Sequence, residues 1–291
     1  MIKTASINIR PNDKESIPFI KKLISLMQTN GIRILLPDYD ILNDEDLASY
    51  SVDFEEFINL PDIVIVVGGD GTILGTTRLF ADTNIPIFGI NKGRLGFLTE
   101  FMPEEALLYL KKIIKGNYQK EERAMLEAVH LRDDIELNKI SFLNDAVLSR
   151  NSISRLLKIH LELNNDFLTC YSGDGLIVST ATGSTAYSLS AGGPIIEPSI
   201  KGVYIINPIC PHTLSIRPMI IPSDMILKTS IESELNNLLL TIDGQEAIQI
   251  ECGDKILFRG SDKRISLITH PNRKYCNILR QKLGWSTHLC E

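Results

Sequence analysis

Apolar positions along the first 116 residues switch between two periods. Thr4 to Ile9 places Ala5, Ile7 and Ile9 on one face at period two, and the next segment brings Ile20, Leu23, Ile24 and Met27 together at helical spacing before Asn30 and Gly31 stop it. A strand followed by a helix is expected. Ile32 to Leu36, Ile63 to Val67 and Ile85 to Ile90 are further apolar runs, rich in β-branched residues, as in strands buried on both faces of a parallel sheet covered by helices. Pro103 at the start and Gly116 just past the end bracket a helix whose stripe is Ala106, Leu107, Leu110, Ile113 and Ile114.

From about Arg123 one short strand-like run follows another: Ile140 to Leu148, Leu156 to Leu163, Leu176 to Ser179, Val203 to Ile206, Ile226 to Ile231, Leu238 to Ile242, Ala247 to Ile250, Ile256 to Phe258 and Ile265 to Ile268. This half reads as mostly β. Asp243-Gly244, between LLLTI and QEAIQI, is a hairpin signal. Two helical patterns stand out here: one after Gly183, with Thr182 or Ser184 as its N-cap, and one near the end formed by Tyr275, Ile278, Leu279, Leu283 and Trp285.

With 291 residues, 44% of them hydrophobic, the chain can bury the core of one large or two ordinary domains. Its net charge of -6 gives no electrostatic footprint for nucleic acid or an acidic membrane, which leaves a small molecule as the expected partner. Polar residues fill the opening where a signal peptide needs an apolar run, and no stretch approaches a membrane span, so a cytoplasmic protein is expected. Cys170, Cys210, Cys252, Cys276 and Cys290 lie far apart without a CxxC pair, as expected of reduced thiols rather than a zinc site or disulfide framework.

Two segments carry chemistry. Gly68-Gly69-Asp70-Gly71-Thr72 leaves the carboxyl end of the buried run Ile63 to Val67 and precedes a helix expected to begin near Thr72. Backbone N–H groups in such a turn can approach phosphate oxygens, and the helix amino terminus favours negative charge. The loop lacks the lysine of a P-loop and the third glycine of a dinucleotide fingerprint, and by itself reads equally well as a tight connection. Asp70 tips the balance, because a carboxylate beside phosphates is repelled unless it holds a metal or accepts a proton. The second segment, Gly173 to Pro194, concentrates glycines with Ser179, Thr180, Thr182, Ser184, Thr185, Ser188 and Ser190, neutral donors suited to a hydroxyl-rich ligand or to a capped surface loop.

GGDGT at 68–72, Asn144-Asp145, and GDG at 173–175 followed by TATGSTAYSLSAGGP at 180–194 resemble the NAD kinase family in content, order and separation. Gly89-Ile90-Asn91 with Gly93, Leu95 to Thr99, PHTLSIRP at 211–218 and KLGW at 282–285 extend the resemblance over nearly the whole chain. It implies α/β plus mostly β architecture: an amino-terminal parallel-sheet α/β domain (1–120 with 272–291, the final helix returning to it) and a mostly β NAD-binding domain (121–271). It also implies transfer of a phosphate from ATP to the adenosine ribose 2′-hydroxyl of NAD, with Asp70 as general base. Gly71 would lie beside Asp70 and Phe97 near the adenine. Asn144 and Asp145 would hold adenosine groups. Ser172, Asp174, Thr182, Thr185, Ala186, Tyr187, Ser188, Leu189 and Ser190 match the dinucleotide-binding stretch, with Arg155 and Gln245 as further contacts.

For the donor, Gly68, Gly69, Gly71 and Thr72 would cradle the triphosphate. Mg²⁺ or another divalent metal would ride on nucleotide oxygens without a protein cage. A homotetramer is also implied. Three departures from the family pattern are Ala181 for proline, Ser172 for an arginine common in bacterial relatives, and Asp145 as the shorter acid. Other readings remain: a lipid or sugar kinase sharing the glycine motif, or a non-catalytic NAD sensor. Taken singly, Asn144-Asp145 and Asp243-Gly244 read as turns, Arg155 as a surface cation, Phe97 and Tyr187 as core aromatics, and His130 and His212 as structural or surface groups.

Overall fold

The amino-terminal alternation becomes β1 (Thr4–Ile9), α1 (Ile17–Thr29), β2 (Arg33–Pro37), α2 (Glu45–Ala48), β3 (Ser51–Val52), α3 (Phe54–Asn59), β4 (Ile63–Val67), α4 (Asp70–Leu79), β5 (Ile87–Ile90) and α5 (Pro103–Ile114) in a computed structural model. It describes residues 2–10, 13–38, 44–93, 95–150, 156–232 and 238–285. The strands pair in parallel in the order β5-β4-β1-β2-β3. Every residue of β4 and β5 is buried, which is why their runs lack a polar alternation. Ile20, Leu23, Ile24 and Met27 of α1 and Ala106, Leu110, Ile113 and Ile114 of α5 enter one core with Ile7, Ile65 and Phe88. Neither α2 nor α3 has a hydrophobic stripe long enough to read. Aspartates start both: Asp44 accepts from the Asp46 and Leu47 N–H groups, and Asp53 from that of Glu56.

The second unit, residues 123–264, contains β6 (Gln119–Arg132, which begins just before it), β7 (Ile135–Phe142), β8 (Asp145–Arg150), β9 (Leu157–Leu163), β10 (Asp166–Gly173), β11 (Gly175–Thr180), α6 (Tyr187–Ser190), β12 (Val203–Ile209), β13 (Met219–Pro222), β14 (Leu227–Glu232), β15 (Leu238–Ile242), β16 (Glu246–Ile250) and the start of β17 (Lys255–Thr269). One antiparallel sheet runs β13-β12-β11-β8-β15-β16; in the other layer β10-β9-β14-β17 are joined by β6 and β7. Leu148, Leu176, Tyr204 and Leu240 from the first layer share a core with Leu126, Ile159, Leu227 and Phe258 from the second. Asp133-Asp134, Asn164-Asn165 and Asp243-Gly244 all have positive φ and turn the hairpins β6–β7, β9–β10 and β15–β16.

Four expectations need correction. Ile140 to Leu148 is two strands, β7 and β8, broken by a bend at Leu143-Asn144. Ile256 to Phe258 and Ile265 to Ile268 are parts of the single strand β17, which changes partners along its length. Its first part is antiparallel to β14, whereas Leu267 pairs in parallel with Ile87 of β5. Residues 1–122 with 265–291 form one compact unit and residues 123–264 the other.

The helix expected after Gly183 is only a 3-10 turn (Thr182–Thr185) followed by the four residues of α6, and neither Thr182 nor Ser184 caps it. Ser184 is fully buried, donating to the Ala181 carbonyl (2.7 Å) and accepting from the Ile196 N–H (3.0 Å). Lastly, α7 (Tyr275–Leu283) buries Ile278 and Leu279 within the first unit's span, but Trp285 lies past the helix and is 52% exposed. Gly284, at φ 64°, ends α7 by sending its N–H back to the Arg280 carbonyl. No helix among the described residues is long and apolar enough to cross a membrane.

Candidate active site

The glycine loop leaves β4 between β1 and β5. Gly68 is buried, and a Cβ there would overlap the Thr72 side chain, so the turn admits only glycine at this point. Gly69 is extended and exposed, and α4 begins at Asp70 itself, two residues earlier than expected. Gly71 is exposed and Thr72 half-buried.

Asp70 is turned toward the segment after β5. Its Oδ2 accepts the Phe97 N–H (2.9 Å), and its Oδ1 accepts from the Leu98 and Thr99 N–H groups (3.1 Å each) and from Thr99 Oγ1 (3.0 Å). Buried Asn91 steadies this arrangement by donating to Thr99 Oγ1 (2.6 Å) while its own Oδ1 accepts the Gly93 N–H (2.9 Å). Four donors fix the plane of the carboxylate. Of the roughly four lone-pair directions of a carboxylate, the one left open lies on Oδ2. Gly96 has no room for a Cβ because the Asp70 carboxylate and Thr99 Oγ1 occupy that place. Phe97 is half-buried, its ring centroid 6.3 Å from that of Tyr275 on α7. A cavity of about 580 Å³ opens beside Gly68 and Gly69.

In the second unit, the bend at Leu143-Asn144 is held from a residue about 100 positions away. Asp243, in the β15–β16 turn, accepts from the backbone N–H groups of Leu143 (3.1 Å), Asn144 (2.7 Å) and Asp145 (3.2 Å). The Asn144 carbonyl accepts the Thr180 N–H (2.9 Å) and lies so close to Gly183 that any side chain there would overlap it. Asp145 is 4% exposed. Burial, and next the charge of Asp243, push its carboxyl up to about 7, against the opposing pull of the Tyr187 N–H donated to it. Near neutral pH this group can therefore either accept or donate a hydrogen bond.

The other expected contacts are placed as follows. Tyr187 and Ser190 are exposed, Thr185, Ala186 and Leu189 half-buried, and Thr182 buried. Ser188 is turned inward, its carbonyl and hydroxyl both accepting from Asn207 Nδ2 (2.9 and 3.2 Å). Asp174 is exposed and 3.1 Å from Arg150; Ser172 is half-buried on β10; Gln245 is exposed in the hairpin. Arg155 lies outside the described residues.

His130 is a structural group, buried with its Nε2 2.7 Å from Asp254, while His212 is exposed. Among the described residues no three His, Cys, Asp or Glu side chains gather as a metal site. Sequence reasoning missed Asp243 and Asn207 as supports of the second cluster, and Asn91 and Thr99 as supports of the first. Asp243 announced itself only as a turn residue, and Asn91 and Thr99 only as members of segments that carry the resemblance.

Residues 7–118 match the ATP-NAD kinase N-terminal domain family, and residues 143–270 match the ATP-NAD kinase C-terminal domain family. The chain is 36% identical to the NAD kinase of Syntrophotalea carbinolica over 98% of its own length and 99% of that protein's. It is 44% identical to the NAD kinase of Thermoanaerobacter sp. (strain X514) over 76% of this chain and 78% of that one. In structure it is similar to yeast NADH kinase complexed with NADH, at a TM-score of 0.90 and 25% identity, covering 98% of this chain and 89% of that one. A likeness of fold extends to an NAD kinase from Archaeoglobus fulgidus in complex with ATP, at a TM-score of 0.73 and 23% identity over 97% and 98% of the two chains. Both domain matches fall in order along one chain whose full-length relatives share over a third of its residues, and the chain belongs to the NAD kinase family.

Proposed function

We propose that this NAD kinase transfers the γ-phosphoryl group of ATP to the adenosine ribose 2′-hydroxyl of NAD, with Asp70 as the general base. The observation that carries the assignment is the Asp70 carboxylate, held by four donors with one acceptor direction of Oδ2 left over. In the reaction the hydroxyl oxygen bonds to the γ-phosphorus as the bond from that phosphorus to the β–γ bridging oxygen breaks. The hydroxyl proton passes to Asp70 Oδ2, and ADP leaves with the bridging oxygen. A ribose hydroxyl is a weak nucleophile at neutral pH, and phosphoryl transfer depends chiefly on alignment and on neutralising oxygen charge. The exposed Gly69 and Gly71, next to the amino terminus of α4, supply amides for the donor.

A divalent cation would be held mainly by the donor's own phosphate oxygens, since the Asp70 oxygens are largely taken by N–H groups. Bound there, it would offset charge on the transferring group. Phe97, Asn144, Asp145, Tyr187 and the turn from Thr182 to Ser190 are assigned to NAD. Within that set Asp145 can share a proton with a ligand hydroxyl, and Ser188 supports the turn from inside. On resemblance alone, the protein is assigned as a homotetramer, which light scattering of the active protein checks.

The deciding experiment incubates the protein with MgATP and NAD and measures NADP with an NADP-specific dehydrogenase. Formation of 2′-phosphorylated dinucleotide supports the reading; none, across several divalent metals, sinks it.

A further inference from the structure

The glycine loop has no positive charge of its own: GGDGT carries amides and one carboxylate, with none of the lysine that P-loops bring to a triphosphate. Side-chain positive charge for the donor has to come from outside the loop. In the sheet β4 is flanked by β1 and β5, whose carboxyl ends lead directly into Arg10, one residue after Ile9, and Lys92, two after Ile90. Both residues line the 580 Å³ cavity that Gly68 and Gly69 also line. Lys92 is not loose, since its Nζ is 2.5 Å from Asp13 Oδ1 and 3.9 Å from Glu15, and Asp13 is itself held by Ser16 Oγ at 2.7 Å.

We infer that Arg10 and Lys92 grip the donor's phosphate chain from the two strands beside the glycine loop, and that Asp13 positions Lys92 for it. This rests on the proposed phosphotransfer and extends it to two side chains to which the resemblance gives no role. The acidic pair has a consequence. Arg10 and Lys92 are balanced by Asp13 and Glu15, so the cavity suits a metal-complexed triphosphate, whose charge is partly neutralised, over a long bare polyphosphate.

Arg10 and Lys92 are both exposed, so substitution should leave the fold intact. Arg10→Ala and Lys92→Ala are each expected to raise KM for MgATP by about tenfold or more, the worth of one charge-assisted contact, with KM for NAD unchanged. Asp13→Asn is expected to raise KM for MgATP by less, without changing the NAD titration. Inorganic tripolyphosphate with Mg²⁺, titrated calorimetrically, reads the grip without turnover and is expected to bind the wild type and lose affinity in both alanine variants. Unchanged KM for MgATP together with unchanged tripolyphosphate binding overturns the inference, as does an equal rise in KM for both substrates. A wild type that binds tripolyphosphate through these residues yet makes no NADP would instead overturn the assigned reaction and leave the grip standing.

Discussion

Asp145→Asn should make the protein more stable at pH 8, although it alters a buried group in the middle of a hydrogen-bonded cluster. The folded carboxyl is raised to about 7 from an ordinary 3.8, by burial first and by Asp243 second. Below pH 4 both folded and unfolded states hold the proton, and the site makes no difference. Between about pH 4 and 7 the unfolded chain ionises while the folded chain does not, so stability falls with rising pH; above 7 the loss is complete. A gap of about three units at about 1.4 kcal/mol each sets an upper bound near 4 kcal/mol. Asparagine has nearly the same size and keeps an acceptor for the Tyr187 N–H, but carries no charge to bury. Melting both proteins in the same buffers from pH 5 to 8 isolates the Asp145–Asp243 pair, since titrating groups that do not face Asp145 cancel in the difference. The variant's advantage should widen up to pH 7 and then level off. Parallel pH profiles, or a variant that melts lower at pH 8, would refute the reasoning and show that the ionised carboxylate is compensated where it lies.

Asp70→Asn is expected to lower turnover by roughly 100- to 10,000-fold with calorimetric NAD binding retained, and near-normal turnover would remove the general base. The same change turns an amide against at least one backbone donor of the 97–99 segment, so a loss of about 1–3 kcal/mol should appear in the melt; a melt unchanged from the parent would contradict the geometry. Gly96→Ala puts a methyl where the Asp70 carboxylate lies and should reduce turnover much as Asp70→Asn does, an outcome excluded if kcat stays within a factor of two. Ile278→Ala on α7 should cost about 2–5 kcal/mol while Trp285→Ala changes stability by under about 0.5 kcal/mol, and equal melting shifts would mean that the tail packs differently.

What could be read from the residues beforehand follows from the range of the forces involved. Ile20, Leu23, Ile24 and Met27 announce α1 because a helix buried along one stripe writes its own period into the chain, and Ile63 to Val67 announce β4 because burial on both faces excludes polar side chains. β6 opens with QKEER and is exposed over much of that stretch before its buried half begins, so no continuous pattern marks its start. β10 contains a register shift between Phe167 and Thr169, which breaks the alternation that would have revealed it. Trp285 was misplaced for the opposite reason. It continues the helical spacing of Ile278 and Leu279, but Gly284 at positive φ turns the chain away before that spacing can act.

The site divides along the same line. Asp70 was legible as a carboxylate where phosphates were expected, a conflict of charge that any reading of the loop must resolve. Its partners were not, because three of the four donors are backbone N–H groups, and amides are the same in every residue but proline. Asp243 shows how a legible role can hide another. The pair Asp243-Gly244 announces a hairpin, and the turn does form, with Asp243 at φ 50°. That conformation leaves its carboxylate able to reach Leu143, Asn144 and Asp145, bend the chain between β7 and β8, and raise the proton affinity of Asp145. The turn residue and the Asn144-Asp145 pair are thus one electrostatic unit. Replacing Asp243 by asparagine, which keeps the turn, should therefore lower the pH at which Asp145 ionises, and a pH profile of NAD affinity that stays where it was in the parent would separate them again.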